Sequence, residues 1–321
     1  MITKPIVLVL GAGASKPYDF PIGSELKTKI LTHRGQNRYP DNLTEALHRK
    51  NITSEKYSAF LNDFWKAGPV TIDSFLETRA EHQEAGKIAI AFALIHQENE
   101  STLFDSDSTK GKWYDYLFEK MYYVMGSDGI HRPVTLDEFG TNQISVITFN
   151  YDRSFEHYLF TLLCNLTNAP PTQVAEVVNR FRIIHVYGQL GFLPFQTTDP
   201  KITRSYEMGM ASTEITKAAS GIKLIHERRD ISDTLPQIID LLATAEYVFF
   251  LGFGYHPENV RKLGLVEARK ITSHGIWSGT AYMLTREEIQ YGLQAQFKDI
   301  HYRDQAILPF LRSAPEFLSL K

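Results

Sequence analysis

The sequence predicts an α/β protein with a mostly parallel sheet and helices on both faces. Three observations support this fold: short apolar runs recur along the chain, each ends abruptly in glycine or polar residues, and amphipathic helical patterns lie between them. The predicted strands cover residues 5–10, 144–149, 182–184 and 247–251, with two more at 222–226 and 280–284. Because ligands of such sheets bind outside the carboxyl ends of the strands, we expect a Rossmann-like protein with a ligand along that edge.

The first strand runs into a glycine-rich loop with the sequence Gly11-Ala12-Gly13-Ala14-Ser15. Its two glycines permit positive φ and leave room for a phosphate against bare backbone. The start of a following helix would add free N–H groups and the positive end of a dipole. The standard dinucleotide fingerprint is not met, since Lys16 stands where its third glycine would be. The loop therefore favours a nucleotide phosphate, and a tight turn without a ligand is the alternative.

Polar groups follow the second strand at Asn150-Tyr151-Asp152. The amide of Asn150 can donate and accept hydrogen bonds at once, which suits a ribose hydroxyl or an attacking water. A helical pattern over residues 152–163 follows, so capping of that helix is an equally good reason for Asn150. We interpret Asp152 as the cap or as a local hydrogen-bond anchor.

The third strand runs into His185, which is followed shortly by Gly188. A neutral imidazole at a sheet edge can accept a proton from a sugar hydroxyl near physiological pH, although a lone histidine in an apolar strand is more often a core residue. Gly188 indicates a close approach of backbone at this edge. His226 and Glu227, at the end of the predicted strand 222–226, are secondary candidates.

The fourth strand repeats the glycine pattern of the first. A glycine-rich backbone there can approach a nucleotide closely, and a nearby amide can contact it, while a plain turn is the alternative. The residues concerned are Gly252, Phe253, Gly254 and Asn259.

The long segment between the first two strands reads as a helical insertion at about residues 30–140. More than a hundred residues separate Ser15 from the second strand, far more than a crossover helix needs. Apolar residues recur at helical spacing over residues 54–66, 71–97 and 113–125, with a polar loop at 105–112. A helix is also expected from Ser24. We expect one catalytic domain over residues 1–321, and a separate helical domain is the alternative.

Composition excludes several classes of function. Over 321 residues the net charge is −3, which gives no global electrostatic reason to expect nucleic acid or an anionic membrane as a partner. The single cysteine, Cys164, cannot form an internal disulfide or a zinc site with several thiolates, and the histidines lack ligand spacing, so no metal is expected. No secretory signal and no apolar stretch of roughly 18 residues is present, so we expect a cytoplasmic protein without a membrane span.

The ordered set of strand-end motifs resembles the sirtuin superfamily, and the resemblance extends over most of the chain. It implies that NAD is bound as a substrate along the sheet edge. It further implies that Gly11, Ala12, Gly13 and Ser15 hold the NAD phosphates and the adjacent ribose. By the same resemblance, Asn150 and Asp152 would lie beside the nicotinamide ribose and His185 would be the catalytic base. Gly252 and its neighbours would meet the adenosine half.

Two departures from the sirtuin pattern redirect the prediction. Sirtuin deacylases carry a four-cysteine zinc module, which one cysteine cannot build, and Phe20-Pro21-Ile22-Gly23 replaces their Gly-Ile-Pro-Asp-Phe-Arg segment. The helical insertion and the segment at residues 71–77 look more like divergent sirtuin-like NAD hydrolases of bacterial anti-phage defence. This resemblance implies an NAD+ glycohydrolase. The alternatives are an NAD-dependent protein deacylase and a non-enzymatic NAD or ADP-ribose sensor.

An enzyme that destroys NAD is toxic unless it is held inactive. We therefore expect control by a regulatory or sensor protein, by homo-oligomerisation, or by both.

Overall fold

The computed structural model describes residues 1–69, 71–207, 209–223, 228–272, 274–293 and 300–320. The strands are β1 (Ile6–Leu10), β2 (Tyr123–Met125), β3 (His131–Pro133), β4 (Ile144–Thr148), β5 (Arg182–His185), β6 (Tyr247–Leu251), β7 (Ile276–Thr280) and β8 (Ile300–Arg303). The helices before β4 are α1 (Gly23–Leu31), α2 (Asp41–Arg49), α3 (Ser54–Lys66), α4 (Ile72–Thr78), α5 (Gln83–Leu94), α6 (Glu100–Leu103), α7 (Tyr114–Tyr122) and α8 (Leu136–Phe139). Those after it are α9 (Ser154–Thr167), α10 (Pro171–Val178), α11 (Ser212–Ser220), α12 (Arg228–Thr244), α13 (Pro257–Lys262), α14 (Leu265–Ile271), α15 (Arg286–Leu293), α16 (Ile307–Ser313) and α17 (Pro315–Leu318).

The main sheet has six strands in the order β5-β4-β1-β6-β7-β8, and all its pairs are parallel. The chain first adds β4 and β5 on one side of β1. It then crosses back and adds β6, β7 and β8 in order on the other side of β1. This is the strand order of a Rossmann fold, so the predicted Rossmann-like α/β fold is confirmed. The order reverses between β1 and β6, and a crevice for a ligand opens at such a reversal.

The two central strands are buried along their whole length, as expected for a parallel sheet with helices on both faces. Residue Ile6 pairs with Ile144 on one side and with Tyr247 on the other, which brings the three strand ends to one level. The loops that follow β1, β4 and β6 consequently meet at one edge of the sheet.

Four predicted strands are confirmed within one or two residues, whereas the prediction at 280–284 is wrong beyond Thr280. Strand β7 ends at Thr280, and the chain then turns, with Met283 at φ +59. Ser278 and Gly279 in this strand weaken its sequence signal, yet glycine is required because a Cβ at Gly279 would lie 2.7 Å from the Cβ of Phe250. Strand β8 was not predicted. Residues 224–227, with the secondary candidates His226 and Glu227, lie outside the described residues.

The segment before β4 is mostly helical, as predicted, but two of its helices are shorter than expected. Helix α3 has the predicted bounds. The predicted helix over 71–97 is broken after α4, where Arg79 leaves the helical conformation at φ −129 and ψ 76. The predicted helix over 113–125 ends at Tyr122, because the next three residues form β2 and pair with β3. In the described residues, no helix is long and apolar enough to cross a lipid bilayer.

Candidate active site

A cleft of about 560 Å³ lies at the carboxyl edge of the sheet, over the point where the strand order reverses. Its volume is in the range of small-molecule and cofactor sites, about 300–1,000 Å³. Its floor is the backbone of the loops after β1 and β6. The predicted site residues that line it are Gly11, Ala12, Gly13, Gly252, Phe253, Gly254 and Asn259.

The glycines of the two loops allow the loops to pack backbone against backbone. A Cβ at Gly11 would lie 2.5 Å from the carbonyl oxygen of Gly252, and one at Gly252 would lie 2.3 Å from the amide nitrogen of Ala14. Gly252 also has φ +58. The expectation of positive φ in the first loop is wrong: Gly11 has φ −103 and Gly13 is not in the left-handed region either. Both are glycine because the opposite loop leaves no room for a side chain.

The prediction that a helix start would offer free N–H groups after the first loop is also wrong. Two short 3-10 turns follow β1, at Ala12–Ala14 and Lys16–Tyr18, and α1 begins only at Gly23. The N–H of Gly13 donates to the carbonyl of Gly252 at 3.0 Å, and the N–H of Ala14 donates to that of Gly11 at 2.8 Å. The loop therefore satisfies most of its own donors instead of presenting them to the cleft.

The side chain of Asn150 holds the first loop from behind. Its Nδ2 donates to the carbonyl of Gly11 at 2.9 Å and to the hydroxyl of Ser15 at 2.8 Å. The hydroxyl of Ser15 in turn donates to Oδ2 of Asp152 at 2.6 Å. All three side chains are buried, and none of them is part of the cleft lining in the described chain.

Asp152 anchors the start of α9 as well as the glycine loop. Its Oδ1 accepts hydrogen bonds from the hydroxyl and the N–H of Ser154, and that hydroxyl lies 2.9 Å from the hydroxyl of Tyr114. Burial raises the pKa of the Asp152 carboxyl, although its hydrogen bonds with Ser15 and Ser154 act against that shift. The interpretation of Asp152 as a local hydrogen-bond anchor is confirmed, and both of its oxygens are engaged.

His185 is close to Asn150 in space but its ring has two protein partners. Nδ1 donates to the backbone carbonyl of Asn150 at 3.0 Å, and Nε2 lies 2.7 Å from Oε1 of Glu156. Burial alone would lower the pKa of His185, but the charge and the hydrogen bond of Glu156 outweigh it, so the pKa is raised. The ring can donate to both partners only as the charged imidazolium, and the described cleft lining does not include His185. Sequence reasoning missed Glu156, which lies in the first turn of α9, the helix that follows Asn150.

The remaining predicted residues support the loops. Ala14 accepts a hydrogen bond from Nε1 of Trp113 at 2.9 Å through its carbonyl, which ties the insertion to the glycine loop. Gly188 has φ +70, and its close backbone approach is to Gly221, whose carbonyl oxygen would lie 2.2 Å from a Cβ at position 188. Neither residue is part of the cleft lining in the described chain.

Polar side chains from four parts of the chain meet at one end of the cleft. The hydroxyl of Tyr187 donates to Oδ1 of Asn259 at 2.9 Å and accepts from Nζ of Lys262 at 2.9 Å. The hydroxyl of Tyr151 donates to Oδ1 of Asp73. Asp73, Tyr187 and Asn259 line the cleft. Of these three, only Asn259 was a predicted site residue.

The sequence contained a signal for both missed residues. Tyr187 lies two residues after His185 in the same strand-end motif, and Asp73 lies in the distinctive segment at residues 71–77 of the insertion. Neither position could be assigned to the cleft without knowing how the insertion packs on the sheet.

The opposite end of the cleft is more open and more apolar. Leu284, Ala306 and Ile307 line it together with Tyr282, whose side chain is 60% exposed. Lys16 and Lys110 line the same cleft, and each is paired with a carboxylate, Lys16 with Glu25 at 2.6 Å and Lys110 with Asp105 at 3.0 Å. The cleft thus has a polar end, a backbone floor flanked by ion-paired lysines, and an open end with an aromatic ring, which suits an elongated ligand.

Within the described residues, no group of three or more histidine, cysteine, aspartate or glutamate side chains is arranged to hold a metal ion. The cleft lining presents carboxylate, phenol and amide groups, from Asp73, Tyr187 and Asn259, which can transfer protons and stabilise charge.

No protein-family model matches this chain. Curated proteins likewise include no match to it.

Proposed function

We propose that this protein is an NAD+ glycohydrolase, which cleaves NAD+ to nicotinamide and ADP-ribose. The observation that carries the proposal is the elongated cleft over the strand-order reversal, with glycine backbone as its floor. Dinucleotides bind at this place in Rossmann folds. The sirtuin-like order of strand-end motifs supports NAD as the particular dinucleotide.

The proposed arrangement of NAD+ follows the polarity of the cleft. The adenine lies at the open end near Tyr282, and the diphosphate crosses the glycine floor near Lys16 and Lys110. The nicotinamide ribose then reaches the polar end, which Asp73 and Tyr187 line.

The reaction needs little acid catalysis because nicotinamide leaves as a neutral molecule. The difficult species is the ribose with oxocarbenium character, as in glycoside cleavage generally. In this proposal, Asn150 fixes the glycine loop through the carbonyl of Gly11 and the hydroxyl of Ser15. His185 holds the backbone carbonyl of Asn150 and therefore fixes the position of that residue.

The first test is nicotinamide release by the purified protein, followed by chromatography. We expect the wild type to produce nicotinamide and free ADP-ribose. Asn150→Ala and His185→Ala should each lower the rate by at least about 100-fold, since a glycine loop and a strand end that lose their supports no longer position the ribose. Asn165→Ala is a matched control, because Asn165 is exposed and, among the described residues, its side chain bonds only to the carbonyl of Thr161 in its own helix.

The products separate this proposal from its alternatives. Release of O-acetyl-ADP-ribose in the presence of an acetylated peptide would instead favour the deacylase. Binding of NAD without any nicotinamide release, even in cells that co-express the neighbouring genes, would favour the sensor. An Asn150→Ala protein that consumes NAD at the wild-type rate would contradict the proposed role of that residue.

We further propose that this activity depletes NAD in bacterial anti-phage defence under the control of a partner protein or of homo-oligomerisation. The support is the likeness of the insertion to that group of NAD hydrolases and the toxicity of unregulated NAD loss. Cellular NAD measured on expression with and without neighbouring genes tests it, and unchanged NAD in every case would contradict it.

A further inference from the structure

Asp73 is a carboxylate of the helical insertion that lies on the wall of the cleft. It lies in the first turn of α4 and is partly exposed, while its neighbours Ile72, Phe75 and Leu76 are buried. The hydroxyl of Tyr151 donates to its Oδ1. In the part of the chain that the structure describes, no side chain other than Tyr151 forms a hydrogen bond with this carboxyl, and its remaining contact is with the N–H of Asp73 itself.

The other titratable groups near this edge are already engaged. Both oxygens of Asp152 accept from serine hydroxyls. Both ring nitrogens of His185 have partners, one of which is Glu156. Among the carboxylates of Asp73, Asp152 and Glu156, that of Asp73 lines the cleft, and it has an oxygen that can accept a proton.

Two contacts fix the helix that carries Asp73 against the sheet edge. The hydroxyl of Ser74 donates to Glu258, and Nζ of Lys262 donates to Glu77, which lies one turn after Asp73. Lys262 also donates to the hydroxyl of Tyr187 at 2.9 Å. These contacts join α4 to α13 across the polar end of the cleft and hold Asp73 opposite Tyr187 and Asn259.

We propose that Asp73 is a catalytic residue that accepts the proton of the water which attacks the ribose. This inference rests on the proposed NAD+ glycohydrolase function. The bond between the ribose C1′ and the nicotinamide nitrogen breaks, and its electron pair neutralises the pyridinium ring. The oxygen of water forms a bond to C1′, and one proton of that water passes to Asp73 and later to solvent. The products are nicotinamide, ADP-ribose and one proton.

The surroundings of Asp73 suit a group that gains and releases a proton. Burial raises the pKa of its carboxyl, while the hydrogen bond from Tyr151 and the charge of Lys262 act against that shift and Glu77 adds to it. The folded state therefore favours the neutral form. The neutral carboxyl of Asp73 therefore stabilises the folded protein below the ordinary pKa of about 3.9. This contribution is lost as the pH rises through the raised pKa of the folded state. At neutral pH the charged Asp73 therefore lowers stability.

The test compares the wild type with Asp73→Asn, whose amide oxygen can still accept from Tyr151. Nicotinamide release should fall by about 10²–10⁴-fold, as for loss of a positioned base. NAD binding, measured by calorimetry, should stay within about threefold, because the residue acts on water rather than on the dinucleotide. The melting temperature at neutral pH should not fall and is expected to rise. Formate should restore part of the activity of Asp73→Ala by taking the proton in place of the carboxylate.

Asp41→Asn is the matched control, since Asp41 is exposed on α2 and pairs with Arg38. It should leave both NAD binding and nicotinamide release unchanged. If Asp73→Asn releases nicotinamide at the wild-type rate, or loses binding as strongly as rate, the inference is overturned and the proposed function stands. If the wild type neither binds nor cleaves NAD, the proposed function fails and this inference fails with it.

Discussion

At the scale of single residues, the His185 imidazole is held between two acceptors. The carbonyl of Asn150 occupies Nδ1 and the carboxylate of Glu156 occupies Nε2. A carbonyl can only accept, so Nδ1 carries a hydrogen, and the neutral ring would then point a lone pair at Glu156. The pair is satisfied only when the ring is charged. His185 therefore fixes the position of the Asn150 backbone. Its contribution to stability depends on pH, because only the charged ring satisfies both acceptors.

We predict that Glu156→Gln lowers the pKa of His185, because the substitution removes the negative charge that opposes the effect of burial. The ring signals of His185 in NMR spectra, identified by their loss in His185→Gln, give this pKa directly. Because the pKa of His185 is raised in the folded wild type, its ion pair with Glu156 is fully present below the unfolded pKa of about 6.5. The pair weakens as the pH rises through the pKa of His185 in the folded state. Glu156→Gln should therefore lower the free energy of unfolding more at pH 6 than at pH 9. An equal loss of stability at the two pH values would contradict this account.

At the scale of elements, the two loops on the cleft floor depend on one another. The N–H of Gly11 donates to the carbonyl of Leu251, and that of Gly13 donates to the carbonyl of Gly252. Gly252 also donates from its N–H to the hydroxyl of Thr280, so the loop after β6 is fixed from both sides. The cleft floor is thus rigid because three neighbouring strand ends share hydrogen bonds.

The two glycines after β6 should respond differently to alanine. We predict that Gly252→Ala destabilises the protein by more than about 3 kcal/mol, because its Cβ meets backbone atoms of Gly13 and Ala14 and its φ is positive. Gly254→Ala should change stability by less than about 0.5 kcal/mol, since a Cβ there has no neighbour within 4 Å. Urea unfolding measures both effects.

NAD binding by Gly254→Ala adds a test of function to the same comparison. Gly254 lines the cleft, so a methyl group there should weaken NAD binding although the fold is unchanged. Unchanged binding would show that the backbone at Gly254 does not touch the ligand.

At the scale of the whole molecule, a buried ionic cluster connects the insertion to the sheet. Glu98 in the insertion accepts two hydrogen bonds from Nη2 of Arg153, which directly precedes α9, and also pairs with Arg204. The side chains of all three are fully buried. Arg153 also donates to the carbonyl of Arg204 at 2.9 Å. The carboxylate of Glu98 and the two arginines thus connect three segments that are distant in sequence.

We predict that Glu98→Gln lowers the free energy of unfolding by about 3–5 kcal/mol, because the buried guanidinium of Arg153 then lacks its countercharge and that of Arg204 keeps only Glu214, at 3.8 Å. Glu100→Gln is the matched control, since Glu100 is half exposed and pairs with His157 at the surface. Circular dichroism and tryptophan fluorescence should give coincident transitions, as expected for one cooperative domain. Separate transitions would instead favour the alternative of an independent helical domain.

The local sequence was enough to predict the strands that build the site. Apolar runs that end in glycine or polar residues are recognisable from a few neighbouring residues, and parallel pairing then brings those ends to one edge. Gly11, Gly13 and Gly252 were identified in this way as residues where backbone approaches closely. The sequence did not show that the approaching backbone belongs to the opposite loop.

The sequence by itself determined the fold class and which loops surround the cleft, because both follow from patterns within short segments. Only the tertiary structure decided which side chains line the cleft. Asp73 meets Tyr151 across 78 residues of sequence, and Tyr187 meets Lys262 across 75. Such contacts depend on how segments that are distant in sequence pack together at the sheet edge, and the spacing of residues within one segment does not predict that packing. For the same reason, His185 lies behind the cleft wall while Tyr187, two residues later, forms part of it.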